Sequence, residues 1–440
     1  MVTNPNRVVA EHPMSWVQIA AIAVTVVLNA LDGFDVLSIS FASPGIVKEW
    51  GIDRAALGAV LSMELIGMAV GSLLLGRLAD RIGRRATILG CLVVMSAGMI
   101  MATTAASVLQ LSVWRVLTGL GIGGMLAAIN AVAAEFANDR RKGLCLSLMV
   151  IGYPIGAVVG GTIAANAMKG GDWRVVFEIG AAATVLCIPL VLLYVPETPA
   201  FLCERGGPDA LARVNRLMAR MGRPQAEALP TPPHGPRRSV VDIFKPDLIL
   251  TTVLVTTAYF AHIVAFYFIL KWVPKIVVDM GFAPAAAAGV LVWANVGGAA
   301  GGAVFGLLTQ RVGLRPLTLA ALLLSAGMLA VFGRGQASLG QLALIAGLTG
   351  LFTNSGVVGL YAMFAEVFPT HVRATGTGFA IGVGRGGAAL APFLAGVLFQ
   401  AGFGLQTVAI VMGCGSLVAA AAVAFTPRGV PAAQPALDLS

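Results

Sequence analysis

Asp32 and Asp35 stand inside the first long apolar stretch of the chain, in the run Leu31-Asp32-Gly33-Phe34-Asp35. Three residues apart, they share one face of a helix. An acid in apolar surroundings is costly unless it is protonated, paired or facing water. Two acids sharing such a site suit the uptake and release of a proton; the plainer use is a helix-end pair that caps or meets headgroups. Glu64 lies mid-way along the second stretch, as a further protonation site or as the partner of an arginine or of Lys271. Arg115 and Arg385 also fall inside apolar stretches. A guanidinium can hold a carboxylate anion by two parallel hydrogen bonds, or it can pair permanently with Asp32, Asp35 or Glu135 and hold helices together. The two uses coexist if protonation of an aspartate frees an arginine. Lys271, near the end of its stretch, is expected to snorkel to the interface. His262 reads as a neutral packing residue or a proton relay.

The elements that position these residues are membrane spans. The 440 residues are 58% hydrophobic and 11% charged, far fewer charges than the quarter usual in soluble domains. At about 20 apolar residues per span, twelve spans are predicted, from 16–43 through 404–425. Most lysines and arginines fall between spans on the side of the termini, so both termini are expected in the cytoplasm. No removable signal peptide is expected ahead of the first span. The net charge of +9 sits beside spans rather than in a nucleic-acid patch. The five cysteines form no CxxC pair, and disulfides are not expected. No lysine precedes Ser or Thr, so there is no P-loop, and the four histidines form no HExxH. The GxGxxG matches at Gly119–Gly124 and Gly382–Gly387 lie inside apolar spans, where glycines permit close helix packing.

The only long polar stretch, from Pro196 to about Lys245, divides the chain into a half at 1–195, a central loop at 196–246, a second half at 247–426 and a tail at 427–440. The halves repeat. Gly76-Arg-Leu-Ala-Asp-Arg-Ile-Gly83-Arg-Arg85 realigns with Gly306-Leu-Leu-Thr-Gln-Arg-Val-Gly313-Leu-Arg315, Leu117-Thr-Gly119 with Leu348-Thr-Gly350, and Ala134-Glu135 with Ala365-Glu366. Two parallel six-helix halves around a midplane site are one architecture of alternating-access carriers. The predicted fold class is thus an all-α integral membrane protein with twelve helices in two pseudo-symmetric halves.

The Gly76–Arg85 loop resembles the major facilitator superfamily at nearly every defining position. Within it, the chain is similar to the aromatic acid:proton symporters in Leu31–Asp35, in Trp114-Arg115 with the glycines after it, in Tyr267-Phe-Ile-Leu-Lys-Trp272-Val-Pro274, and in Val367–Gly378 with Gly384-Arg385-Gly386-Gly387. The Pro196-Glu-Thr-Pro199 end of span six is shared more widely. The resemblance covers about residues 15–425 and implies import of a small benzoate-like carboxylate with protons across a bacterial inner membrane. It implies no enzyme, no cofactor beyond the proton gradient, and no partner beyond substrate, protons and bilayer. Asp32 and Asp35 are the expected proton-coupling residues, with Glu64, less expected from the family pattern, added on its position mid-span. Arg115 and Arg385 are expected to receive the carboxylate, with Tyr267, Trp272, Asn295, Asn354 and Tyr361 lining the ring pocket. Gly76, Asp80, Gly83, Arg84, Arg85, Glu135, Glu366 and Arg373 are expected to form the cytoplasmic gate, Asp80 reaching across the seam between halves. Gln310 departs from the pattern, since the family has an acid there. The rivals are a carrier of another organic anion, a proton-driven exporter and, more remotely, a membrane receptor for aromatic acids.

Overall fold

Ser15 opens the first long helix with a reciprocal cap: its hydroxyl accepts from the Gln18 amide, and the Gln18 side chain accepts from the Ser15 amide at 2.8 Å. This satisfies two of the donors that a helix start leaves free. Asp53 starts the next helix by accepting from the Ala56 amide at 2.7 Å. Further along, Ser107 accepts from Gln110 and Ser338 from Gln341. These two caps occupy equivalent places in the repeat, so the duplication extends to how helices begin.

The computed structural model describes residues 4–206, 209–230, 240–369 and 372–427. The Thr231–Pro236 section of the central loop, Arg237, Arg238 and Arg428 lie outside them, as does the tail beyond Pro427. A short α1 (Pro5–Glu11) precedes the first half, which comprises α2 (Trp16–Trp50), α3 (Arg54–Ile82), α4 (Arg84–Thr103), α5 (Val108–Phe136), α6 (Lys142–Ala167) and α7 (Val175–Tyr194). The central segment holds α8 (Pro199–Arg205), α9 (Ala210–Arg220) and a 3-10 turn at Val240–Phe244. The second half comprises α10 (Ile249–Asp279), α11 (Pro284–Leu308), α12 (Leu314–Gly333), α13 (Leu339–Val367), α14 (Arg373–Gln400) and α15 (Leu405–Phe425). Among the described residues twelve helices, α2–α7 and α10–α15, are long and apolar enough to cross a membrane. Several overrun the predicted spans. Hydropathy stops at a charge, whereas α2 continues through Lys48 and Glu49 to Trp50.

The packing repeats as the sequence does. In the first half α3 packs on α5, α2 on α6, and α4 on α7; in the second α11 packs on α13, α10 on α14, and α12 on α15. Glycine lets these pairs approach closely. A Cβ on Gly119 would lie 2.0 Å from the Glu64 carbonyl oxygen, and one on Gly350 would lie 1.9 Å from that of Ala294. Small residues let backbones approach this closely. The halves meet where α3 packs on α14, α6 on α11 and α10 on α2.

An even number of spans leaves the start of α2 and the end of α15 on one face, called the terminal face below; the opposite end is the far face. The seam is sealed toward the far face. A Cβ on Gly58 would lie 2.5 Å from the Pro392 carbonyl oxygen, Arg54 pairs with Asp279 at 3.3 Å, and the Gln400 side chain accepts from the Arg54 amide.

Candidate functional site

At the centre of the bundle lies a buried charge cluster shared by both halves. Glu64 of α3, Arg115 of α5 and Lys271 of α10 are all 0% exposed. One Glu64 carboxylate oxygen pairs with Arg115 and the other with the Lys271 ammonium at 3.3 Å. The cations also hold the main chain of α2: Arg115 Nη2 donates to the Asp35 carbonyl at 2.9 Å, and Lys271 Nζ to that of Val36. Arg115 lies over the Phe177 ring, 5.3 Å from its centroid, and its Nη1 meets the Met99 sulfur. Its guanidinium is thus engaged, and the partner is the span-two acid Glu64 rather than a span-one aspartate. Lys271, expected at the interface, is interior instead. Of the two uses open to Glu64 in the sequence, the structure shows the pairing, with an arginine and with Lys271 at once.

Asp32 and Asp35 occupy the same depth on α2, both buried. Asp35 lies against α7, where a Cβ on Gly180 would come within 3.1 Å of its Oδ1. The Asp32 carboxylate has no hydrogen-bond partner among the described residues. Its charged neighbours are Asp35, Arg385 and Glu64. Glu64 therefore differs from the aspartates: both its oxygens hold cations, whereas Asp32 is left free.

Arg385 of α14 is half-buried. Its field reaches Tyr259 and Tyr267 of α10, Tyr153 of α6 and Asp32. Tyr259 lies across Gly384, where a Cβ would meet its ring at 2.2 Å, and its hydroxyl bonds that of Tyr361 at 2.9 Å. Tyr361 is 41% exposed. A linked pair of phenols, Tyr259 and the more exposed Tyr361, thus lies beside the backbone that carries the arginine. Tyr153 escaped the sequence reading because nothing in an apolar span sets it apart from a lipid-facing tyrosine; its buried hydroxyl has no partner among the described residues.

Three residues expected in the ring pocket have other attachments. Trp272 is buried and donates its indole N–H to the Pro392 carbonyl at 3.1 Å, within the far-face seal. Asn295 donates to Leu291 of its own helix, and Asn354 ties α13 to α11 through the Gly298 carbonyl at 2.7 Å. A buried amide among apolar helices takes the nearest backbone acceptor. The cleft of about 200 Å³ that Trp272 helps to line, with Arg54, Asp279 and Phe399, opens at the far face, away from Arg385.

His262 bonds the Thr353 carbonyl through Nε2 at 2.8 Å and Ser416 through Nδ1 at 2.9 Å; Ser416 in turn meets Ser325 at 3.2 Å. A carbonyl only accepts, so Nε2 carries the proton and Nδ1 accepts from the hydroxyl. The ring fastens α10 to α13 and α15.

The expected gate residues sit at the terminal face. Gly83, between α3 and α4, has φ of 108°, a conformation that favours glycine. A Cβ there would also strike the Glu197 carboxylate, at 2.2 Å. Glu197 accepts from the Arg84 amide at 2.9 Å and also from the Arg85 amide, capping the start of α4. Sequence reading passed over this acid, although it lies in the Pro196–Pro199 motif. Arg84 bonds Glu135 at 3.0 Å and Asp80 at 3.2 Å. Asp80, expected to reach across the seam, pairs within its own half and is 73% exposed. Arg85 Nη2 donates to the Leu192 carbonyl at 2.7 Å, and Arg315 Nη2 to the equivalent Val423 at 2.9 Å. Each half thus uses the last arginine of its loop to hold the end of its last helix. Gly76 faces Ala127, 3.7 Å from where a Cβ would stand. Arg373 is exposed and donates to the Phe368 carbonyl; Glu366 is exposed, with no ion-pair partner among the described residues. Leu314 stands where Arg84 would be in the second half.

Twelve helices in two matching halves, meeting at a buried charge cluster, are the fold of this class of membrane transporter, and the chain belongs to the Major Facilitator Superfamily, whose sequence model matches residues 25–305 and 255–438. It is similar to the 3-(3-hydroxy-phenyl)propionate transporter of Escherichia coli, at 30% identity over 93% of this chain and 94% of that protein. A 4-hydroxybenzoate transporter of Pseudomonas putida is also 30% identical, over 90% of each. The fold matches a D-xylose–proton symporter structure with a TM-score of 0.72 and 17% identity, over 93% of this chain and 98% of that one. The family and these relatives are transporters, not enzymes.

Proposed function

We propose that this protein imports a small aromatic carboxylate together with protons by alternating access. The observation that carries the reading is a half-buried arginine of the second half, Arg385, whose neighbour Gly384 lies against the Tyr259 ring, together with the buried, unpartnered Asp32 carboxylate of the first half, on which the arginine's charge acts. The guanidinium suits a benzoate-like carboxylate, and phenol rings suit an aromatic body that carries hydroxyls. Relatives that carry 4-hydroxybenzoate and 3-(3-hydroxy-phenyl)propionate support the substrate class.

In the cycle, Asp32 and Asp35 take up a proton from the outside and Arg385 receives the anion. Neutralising buried charge lowers the cost of closing the path, and the halves rock. With the far face sealed and Tyr361 exposed, this conformation suits release on the terminal side, which the proposal places in the cytoplasm of a bacterial inner-membrane protein. The second reading, favoured by the same open arginine, is a carrier of another organic anion or an exporter.

The test is uptake of radiolabelled 4-hydroxybenzoate, benzoate, protocatechuate and gentisate, with and without a protonophore, alongside Asp32→Asn and Arg385→Ala. The reading expects uptake that collapses with the protonophore and falls at least about tenfold in each variant, the effect of losing one charged contact worth about 1.4 kcal/mol. No uptake of any aromatic acid by well-expressed protein would overturn the substrate class.

A further inference from the structure

The cluster around Glu64 crosses the seam between halves, which neither proton uptake nor anion binding requires. Lys271 belongs to the second half; the Glu64 carboxylate and the Val36 carbonyl belong to the first. The next residue, Trp272, bonds the carbonyl of Pro392, against which Gly58 of the first half packs. Lys271 and Trp272 therefore join α10 to α2 and α14 beneath the far-face seal. The outer Arg54–Asp279 pair is 46% and 36% exposed, and such pairs contribute little. Lys271 and Glu64 are fully buried, where losing one partner strands the other's charge.

We propose that the Lys271–Glu64 pair is the clasp that holds the far side closed, with Lys271 acting as a positioning residue for the transport cycle. Opening the far side withdraws Lys271 from Glu64 and from the Val36 carbonyl. Glu64 retains Arg115, which moves with the first half, so the carboxylate is never left without a cation. Arg115 also grips the carbonyl of Asp35, so the clasp bears on the α2 segment that carries both aspartates. The titratable groups that act on the pair are Arg115, Asp32, Asp35 and Tyr153 from the first half and Tyr267 from the second. The clasp gives Glu64 a use in holding the halves together in place of a third proton site. The proposal rests on alternating access alone and not on the identity of the substrate.

Ser62, one turn after Gly58 and 2% exposed, provides a reporter near the sealed face. The experiment places Ser62→Cys in a chain carrying Cys414→Ser, which removes the one exposed thiol among the described residues. Labelling by a membrane-impermeant maleimide is followed without substrate, at equal amounts of protein in the membrane. In Lys271→Met the closed state holds Glu64 with one cation instead of two, so labelling is expected to rise about tenfold, the population change that 1.4 kcal/mol makes. Glu64→Gln, which removes the other partner, is expected to raise it likewise, and Lys271→Arg to restore slow labelling. Unchanged or slower labelling in both Lys271→Met and Glu64→Gln would overturn the clasp. A rise in Lys271→Met that Lys271→Arg fails to reverse would overturn it too, by showing that packing rather than charge was lost. Because no substrate is present, the result stands apart from the uptake test.

Discussion

The contrast between Asp32 and Glu64 comes from what surrounds each carboxylate and not from its burial, which is nearly equal. Glu64 has a cation on each oxygen, and Asp32 has no bonded partner among the described residues. The sequence could place both acids in apolar spans and offer an arginine or Lys271 as a partner for Glu64, but could not choose that pairing over a proton role, because Lys271 lies 207 positions from Glu64. Asp32, Asp35 and Arg385 were legible because a charge in an apolar span stands out by itself. Tyr153 and Glu197 were not, since their significance lies in the partners that the fold brings. His262 shows the same limit: its tautomer follows from the carbonyl it faces. We predict that His262→Gln leaves the pH profile of uptake in place, and a shifted profile would restore a proton-relay role. His262→Ala removes both ring hydrogen bonds and opens a void where α10, α13 and α15 meet, and should destabilise the protein by about 1–3 kcal/mol, read as a lower melting temperature in detergent.

The helices were the most legible level. Twelve apolar stretches and a repeated loop motif give twelve helices and two halves, because hydrophobic length is a local property. How the helices approach one another was partly legible: glycines in apolar spans announce close packing but not which carbonyl they face. Gly119 faces Glu64 in the α3–α5 pair, and Gly350 faces Ala294 in the equivalent α11–α13 pair. Gly119→Ala and Gly350→Ala should each cost about 1–3 kcal/mol by forcing a methyl group onto a carbonyl oxygen. Thermal unfolding of purified protein would measure this, and unchanged melting in both would mean that the helices can part at no cost. Gly119→Ala should also disturb the cluster through the backbone of Glu64, whereas Gly350→Ala should not.

Across the molecule, the symmetry of the halves breaks at the terminal face. The first half fastens its loop with Gly83, Glu197 and the Arg84–Glu135 pair; among the described residues, the fastening the second half retains is the hold of Arg315 on the end of α15. Position 314 is leucine, and residues 310–313 are exposed. Backbone amides exchange with deuterated water at rates set by local opening, so loosely held segments exchange first. One pseudo-symmetric molecule should therefore carry two exchange clocks. Amides of the first turn of α12 are expected to exchange faster than those of the first turn of α4, and equal rates would show that the fastenings of the first half add no local stability. The leucine at 314, in place of an arginine, also leaves Glu366 without an ion-pair partner among the described residues, so each turnover would flex the carrier more at one end of the second half than at its mirror position in the first.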